Sequence, residues 1–348
     1  MKKLLVIIDG MDDEPNPILG GLTPSRYANM PALNHMRKNG CVSMKNTIPA
    51  GNQPGTEVAV LNILGYDVPE GFSSRSWLEA LGSGINISES DFCLRCNLIS
   101  HSDGLITSHC GAGVNRRQCD EITGILNNHF GSDNIRFYGN GDFRNLMIVH
   151  DAHSEVEVEA PHTLIGKPIS RLLVTSDNKT LENALNRCIV ESRELLKSYP
   201  ANGISLWAPG RSVCISGPRI NGTLISGVNV MKGIGRAIGM AVPNVEGATG
   251  DEHTNYRAKL DAAISILSQN DFVLLHIEAP DEVSHSRDVM KKVRILEDID
   301  RELLSPLLNV NIDLEITVQS DHATSSLTGL HLDTPVEVVV YTINSNEK

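Results

Sequence analysis

The chain has 348 residues, 41% of them hydrophobic and 21% charged, with a formal net charge of −12. This is ordinary globular composition, and a chain of this length buries a large core, in two domains or in one with a big insertion. The acidic balance argues against a nucleic-acid partner, which needs a basic face, and leaves any anionic substrate to local Arg, Lys or metal.

The first apolar run, within MKKLLVIIDGMDDEP, breaks at Asp9 without a small-residue cleavage site. It reads as a buried strand, Lys2–Ile8, and not as a signal peptide. No apolar segment is long enough to span a bilayer, so no membrane partner is expected. A Gly- and Pro-rich loop (Glu14–Pro24) leads to helical periodicity from Met30 to Asn39, stopped by Gly40, and to a strand over Cys41–Ile48. In PGTEVAVLNILGYD, Pro54–Asp67, a Pro-Gly break runs into an apolar segment, which marks a loop-to-helix junction. Thr56 stands at that junction. A hydroxyl there serves most often as a helix cap, but the unpaired backbone N–H groups beside it also welcome phosphate. A short helical piece, Ser76–Leu81, ends at Gly82 and Gly84.

From Asp91 the texture changes. Strands are expected at Phe92–Ile99, Leu105–Thr107, Asn134–Tyr138, Leu146–His150 and Gly203–Trp207, with helices at Arg116–Phe130 and Lys179–Ser198. We read residues 90–216 as an inserted α/β domain between a first core part, 1–89, and a second, 217–348. Cys93 and Cys96 form a lone C-x-x-C on a strand and read as packing thiols. The seven cysteines are scattered and odd in number, which suits reduced thiols in a cytoplasmic protein.

The βα rhythm then resumes. A strand at Leu224–Ser226 precedes helices at Val230–Met240 and Asn255–Ser268, and a buried strand follows at Asp271–Ile277. A long charged helix spans Arg287–Leu308, before strands at Leu314–Gln319 and Val336–Thr342. Apolar strands alternating with helices predict an α/β fold, a mainly parallel sheet covered by helices on both faces.

Acidic and histidine residues follow several of these strands at once: Asp9 after LLVII, Asp281 and His285 after FVLLHIEAP, Asp321 and His322 after EITVQS, and His331 a little further on. A lone Asp at a strand end usually makes a turn, and a lone His is usually a satisfied polar residue. Parallel strands, however, bring their C-terminal ends to one rim of the sheet. Three Asp and three His gathered there make two N/O sites suited to Zn²⁺ or Mn²⁺. Two such ions would activate Thr56, reached from the same rim, as a nucleophile.

These residues carry a resemblance. IIDGMDDEP, GGLTPSRYANMPALNHM, PGTEVAVLNILGYD, SRSWLEALG, LRCNLI, APHTLIGKPI and LWAPGRS occur in that order. MKGIGRAIGM, EGATGDEHTNYRAKLDAAI, HIEAPDEVSHSRD and SDHATSSLTGLHLDTPVEVVVY follow them. Together they resemble the metal-dependent, cofactor-independent phosphoglycerate mutases of the archaeal type, in the alkaline phosphatase superfamily. The likeness is greatest to a bacterial subgroup whose members have also been proposed as homoserine kinases.

The resemblance implies an alkaline-phosphatase-like core with a smaller substrate-binding cap inserted in it. It further implies two divalent metal ions (Mn²⁺ or Zn²⁺, with Mg²⁺ or Co²⁺ as alternatives) and Thr56 as the transiently phosphorylated residue. One ion would sit on Asp281, His285 and His331, the other on Asp9, Thr56, Asp321 and His322. Arg144 and Arg211 match basic positions of the inserted domain, with Lys232 and His109 as further substrate-binding candidates. An arginine fork suits carboxylate and phosphate, and equally a structural ion pair. The expected reaction interconverts 3-phosphoglycerate and 2-phosphoglycerate through a phosphothreonine. A homoserine-kinase-like transfer or a plain phosphatase are the rivals on the same core, and the lack of a G-x-x-x-x-G-K-[ST] motif mildly disfavours the kinase. Two positions depart from the family pattern: Thr56 stands where serine is usual, and Ser284 stands in DEVSH where glycine is usual.

Overall fold

In the computed structural model, which describes residues 1–111, 113–132, 134–152 and 154–345, the run KKLLVII forms the strand Lys2–Ile8. Val6, Ile7 and Ile8 are wholly buried, as a strand covered on both faces requires. It pairs in parallel with Phe272–Ile277 on one side and Leu314–Gln319 on the other. Thr223–Ile225 extends the parallel set, and Val336–Ile343 and the exposed edge strand Cys41–Lys45 complete six strands. Only Val336–Ile343 runs against the others, so the sheet is mainly parallel, as the sequence predicts.

Alternation along each strand separates two buried faces. Leu4, Val6, Val273, Leu275 and Ile316 share a core with the helices Pro31–Asn39, Tyr256–Leu267 and Val289–Ile299. On the other face, Leu5, Leu274 and Leu224 are in register, and the helix Asn229–Ala237 lies against them. Its Gly235 comes so close that an added Cβ would be 3.2 Å from Leu224 Cβ.

The long helix expected over Arg287–Leu308 is not continuous. It starts at Val289 behind the cap Asp288, widens to a π-turn over Asp300–Leu304 and ends as Ser305–Leu307. Pro306 has no N–H to continue the α-pattern, and the wider turn accommodates it. The same turn presents the buried Asp300 carboxylate to the N–H groups of Leu33 and Ala32, at 2.8 and 3.0 Å. Those groups open a helix whose own cap position, Met30, offers no acceptor.

Lys292 is another buried charge of this helix. Its ammonium lies 2.8 Å from Asp13 Oδ2 and 2.8 Å from the Thr324 carbonyl, tying the loop after the first strand to the turn after Leu314–Gln319. Lys292→Met leaves the Asp13 carboxylate buried and uncompensated, and stability falls by about 3–5 kcal/mol. Urea unfolding measures this, and the pair Lys292→Met with Asp13→Leu recovers much of the loss.

The chain divides into two compact units. One comprises Met1–Phe72, Leu81–Ser83 and the chain from Ile215 onward, and the other Ser73–Ala80 and Gly84–Cys214. The second unit thus begins earlier than the boundary at residue 90. Ser76 Oγ donates to the Cys93 carbonyl at 3.1 Å, and Arg95 pairs with Glu79 at 2.7 Å, which commits that short helix to the insertion. Nor does this unit have the parallel arrangement of the core. Phe92–Ser102 pairs antiparallel with Arg144–Val149, Gly203–Gly210 and Leu105–Ser108, and Ile135–Tyr138 adds a fifth strand. Leu94, Cys96 and Leu98 pack on the helices Arg116–Phe130 and Lys179–Leu195. Cys93 is buried outside that cluster, and burial pushes its thiol up to about 12. The C-x-x-C therefore straddles its strand and cannot chelate. Among the described residues no helix is long and apolar enough to cross a membrane.

Candidate active site

Asp9 follows the first strand directly, and its N–H donates to the Ile277 carbonyl at 2.8 Å, so the two central strands stay paired to their ends. Gly10 then turns the chain with a φ of +65°, and a Cβ there would come within 2.8 Å of Asp281 Cα. This glycine is what lets Asp281 approach Asp9. Asp281 lies in the first turn of the helix Ala279–His285, which places His285 one turn on, its Nε2 3.1 Å from Asp281 Oδ2. His331 comes from the short strand His331–Leu332 and puts its Nε2 3.3 Å from His285 Nε2 and 3.4 Å from Asp281 Oδ1.

Asp321 and His322 follow Leu314–Gln319 and are fully buried. His322 Nε2 is 3.5 Å from Asp321 Oδ2 and 3.7 Å from Asp9 Oδ1. Thr56 is the first residue of the helix Thr56–Ile63, whose cap is Gly55, so its hydroxyl is not the cap that sequence statistics favoured. That hydroxyl is buried and donates to Asp9 Oδ2 at 3.4 Å. All seven residues that the sequence placed on one rim of the sheet are brought together.

The ring nitrogens are oriented in one sense. His285 Nδ1 is 2.8 Å from the Gly329 carbonyl, and His331 Nδ1 is 3.1 Å from the Pro54 carbonyl. A carbonyl only accepts, so each Nδ1 carries a proton. Thr324 settles the third ring: its hydroxyl donates to Asp281 Oδ1 at 2.6 Å and therefore accepts from His322 Nδ1 at 3.2 Å. Each histidine is thus anchored through Nδ1 and turns Nε2 toward the carboxylates, the orientation that metal-binding histidines adopt.

The electrostatics agree. Asp9 Oδ1, both Asp321 oxygens and His322 Nε2 are buried without a hydrogen-bond partner. Burial, then Asp321, Asp281 and Glu278, push Asp9 well above the usual carboxylate range. Burial also opposes ionisation of Asp281, but the hydrogen bonds from His285 and His331 outweigh it and hold Asp281 well below that range. The hydrogen bond to Asp281 pushes His285 up to about 9. Buried carboxylates that repel one another and raise the basicity of neighbouring imidazoles attract cations. The residues fit divalent ions: one group is Asp281, His285 and His331, and another is Asp9, Asp281 and His322.

The substrate-binding candidates are distributed differently. In the second unit, Arg144 stacks over Phe143 at 4.7 Å and lies 3.5 Å from Asp142, and His109 meets the edge of the same Phe143 ring. Arg211 forks onto the carbonyls of Ala152 and Ser154 and covers Phe92 at 4.8 Å, a structural use of its guanidinium. Lys232 belongs to the core unit, on the helix Asn229–Ala237, where burial and then Arg236 lower its ammonium from the usual value.

A family model described as 2,3-bisphosphoglycerate-independent phosphoglycerate mutase matches residues 38–202. The enzyme of that name from Methanosarcina barkeri is 32% identical over 98% of this chain and 90% of its own length. The chain belongs to the 2,3-bisphosphoglycerate-independent phosphoglycerate mutase family. A probable mutase of this family from Geobacter sulfurreducens is 31% identical, covering all of this chain and 92% of its own. A solved structure from Pyrococcus horikoshii superposes with a TM-score of 0.79 at 25% identity, over 99% of this chain and 88% of that one. The cofactor-independent mutase of Thermoplasma acidophilum shares the fold, with a TM-score of 0.61 at 23% identity over 99% and 92% of the two chains.

Three residues of this mutase-family core, His276 and Thr324 buried and Glu278 partly so, escaped the reading of the sequence. His276 sits inside an apolar strand, where burial pushes it down to about 4. Glu278 follows two positions later. The H-x-E spacing was the available signal, since alternate residues of an extended chain share a face. Thr324 had no such signal, because its importance comes from two partners that the fold supplies. Thr324→Val removes the hydroxyl and keeps the shape, which frees the His322 ring to rotate. Metal affinity falls about 10- to 100-fold as read by competition with a chelator, and Thr324→Ser restores it.

Proposed function

We propose that this protein interconverts 3-phosphoglycerate and 2-phosphoglycerate, with two divalent ions at the strand ends and Thr56 as the transient phosphoryl carrier. The observation that carries this reading is the Thr56 hydroxyl, 3.4 Å from Asp9 Oδ2 beside three histidines that all turn Nε2 inward. One ion would be held by Asp281, His285 and His331, the other by Asp9, Thr56, Asp321 and His322, with Asp281 close enough to share. When bound, such ions polarise the phosphoryl oxygens and favour the alkoxide form of a hydroxyl at neutral pH.

The chain's own groups do the rest. Asp9 Oδ2 accepts the Thr56 proton in a hydrogen bond and so aims an oxygen lone pair outward. The first-turn N–H groups of the Thr56–Ile63 helix have no partners within the helix and receive phosphate oxygens. The Thr56 Oγ1–P bond forms as the substrate ester P–O bond breaks, and that substrate oxygen takes up a proton. The reverse transfer, to the neighbouring hydroxyl of the same glycerate, frees Thr56 and returns the proton. Arg144 and His109 are the second unit's candidates for recognising a carboxylate.

An enolase-coupled assay on the Mn²⁺-loaded chain with 3-phosphoglycerate tests the proposal. Turnover that EDTA abolishes and Mn²⁺ restores is the expected result. No mutase turnover, together with ATP-dependent phosphorylation of homoserine, would sink it, and release of free phosphate alone would convert the reading to a phosphatase.

A further inference from the structure

The central sheet is unevenly covered. The helix Asn229–Ala237 lies on the face that carries Leu224 and Leu274, but farther along the same face a cavity of about 520 Å³ opens over Leu5, Thr317 and Val340, which are in register. Sites that enclose small molecules measure about 300–1,000 Å³. All the residues lining this one belong to the core unit.

The floor is apolar, and the polar groups around it are uncommitted. Gln319 is 3% exposed and lines the cavity, and its side-chain amide makes no hydrogen bond among the described residues. Thr47, also in the wall, keeps a buried hydroxyl without a partner. Buried polar groups of this kind are costly unless something meets them. Lys3 pairs with Glu315 at 3.1 Å, whereas the exposed Lys45 beside the cavity has no ion pair among the described residues. The cavity therefore has one positive charge to offer at its edge.

Another part of the wall is Asn62, Ile63 and Leu64, the end of the helix that starts at Thr56. Asn62 Nδ2 donates to the Thr47 carbonyl at 2.9 Å, which ties the segment carrying Lys45 to that helix. Eight helical residues span only about 12 Å and move as one rod, so a load at Ile63 is felt at Thr56.

We propose that this cavity is an effector site for a small amphiphilic anion. Its apolar body would lie on Val338, Val340 and Ile63, a polar atom would meet Gln319, and the anionic group would pair with Lys45. Occupancy would stiffen the helix that presents Thr56. Only the consequence for turnover rests on the reading of Thr56 as phosphoryl carrier; the site and its grip on the helix do not.

The test therefore avoids turnover. The full chain is titrated by fluorescence with anilinonaphthalene sulfonate, an anion on an aromatic body, and with the uncharged phenylnaphthylamine. Wild type is expected to bind one equivalent of the sulfonate. Lys45→Glu weakens the sulfonate about tenfold and leaves the neutral amine within about twofold. Val340→Trp, which fills the cavity, weakens both probes about tenfold or more, with circular dichroism confirming the fold of each variant. Hydrogen exchange read by mass spectrometry slows several-fold over residues 56–64 when the sulfonate binds wild type, and does not slow in Val340→Trp. Sulfonate binding that Val340→Trp leaves untouched would place the probe elsewhere and overturn the site. A Lys45→Glu effect that is absent, or equal for both probes, would overturn the anion. Binding to the cavity without slower exchange over 56–64 would overturn the effector role. Each of these results leaves the mutase reading as it stands, and a failure of mutase turnover leaves each of them readable.

Discussion

Thr56→Ala abolishes phosphoryl transfer, with kcat falling on the order of 10⁶-fold, the scale on which loss of a covalent nucleophile is felt. Thr56 is buried, starts its helix and leaves the capping to Gly55, so its hydroxyl has no local structural task. Among the described residues its hydrogen-bond partner is Asp9 Oδ2. A residue kept only for packing would show a loss of stability in Thr56→Ala and little change in turnover, and that outcome would end the covalent mechanism. Thr56→Ser keeps the hydroxyl and removes a methyl that restricts χ1, so it retains activity within about tenfold of wild type. Enolase-coupled kinetics measure both variants. Mass spectrometry of the acid-quenched enzyme shows one added phosphoryl group at position 56 in wild type and Thr56→Ser and none in Thr56→Ala.

Asp281→Asn is the second large effect. This carboxylate touches His285, His331 and the Thr324 hydroxyl, and an amide in its place carries no charge to hold a cation and presents a donor where these groups need an acceptor. At least one equivalent of metal is lost at saturating Mn²⁺. Turnover falls on the order of 10³-fold, since a catalytic ion supplies several kcal/mol and each 1.36 kcal/mol is tenfold. Elemental analysis and the coupled assay read the two effects together. Full metal content with unimpaired turnover in Asp281→Asn would remove Asp281 from the centre.

Much of the site was legible because its chemistry is written at strand ends. LLVII-Asp9, HIEAP-Asp281 and EITVQS-Asp321-His322 each show a buried run stopped by a ligand-type residue, and the parallel topology that their alternation with helices implies brings those ends to one rim. His276 and Glu278 were not read because they interrupt no pattern: a histidine among apolar strand residues looks like a core residue until its neighbours across the sheet are known. Thr324 gains its role from Asp281 and His322, reached from a helix and a strand end far apart in sequence or held in one turn. The insertion was read as starting at residue 90 because the change in texture falls there, whereas Ser76 and Glu79 are claimed by hydrogen bonds and ion pairs from Cys93 and Arg95.

By itself the sequence determined the class of fold, the family and the list of residues that meet at the sheet's rim. Those depend on local periodicity, on strand order and on motifs read in succession. Only the tertiary structure decided how the side chains face one another. It showed that Gly10 lets Asp281 reach Asp9, that each histidine spends Nδ1 on an anchor and offers Nε2, that Arg211 is held by carbonyls, and that the second unit is antiparallel. The physical reason is range. Burial and periodicity are properties of a short stretch of chain, but the direction of a lone pair is set by partners that only folding brings within 3 Å or so.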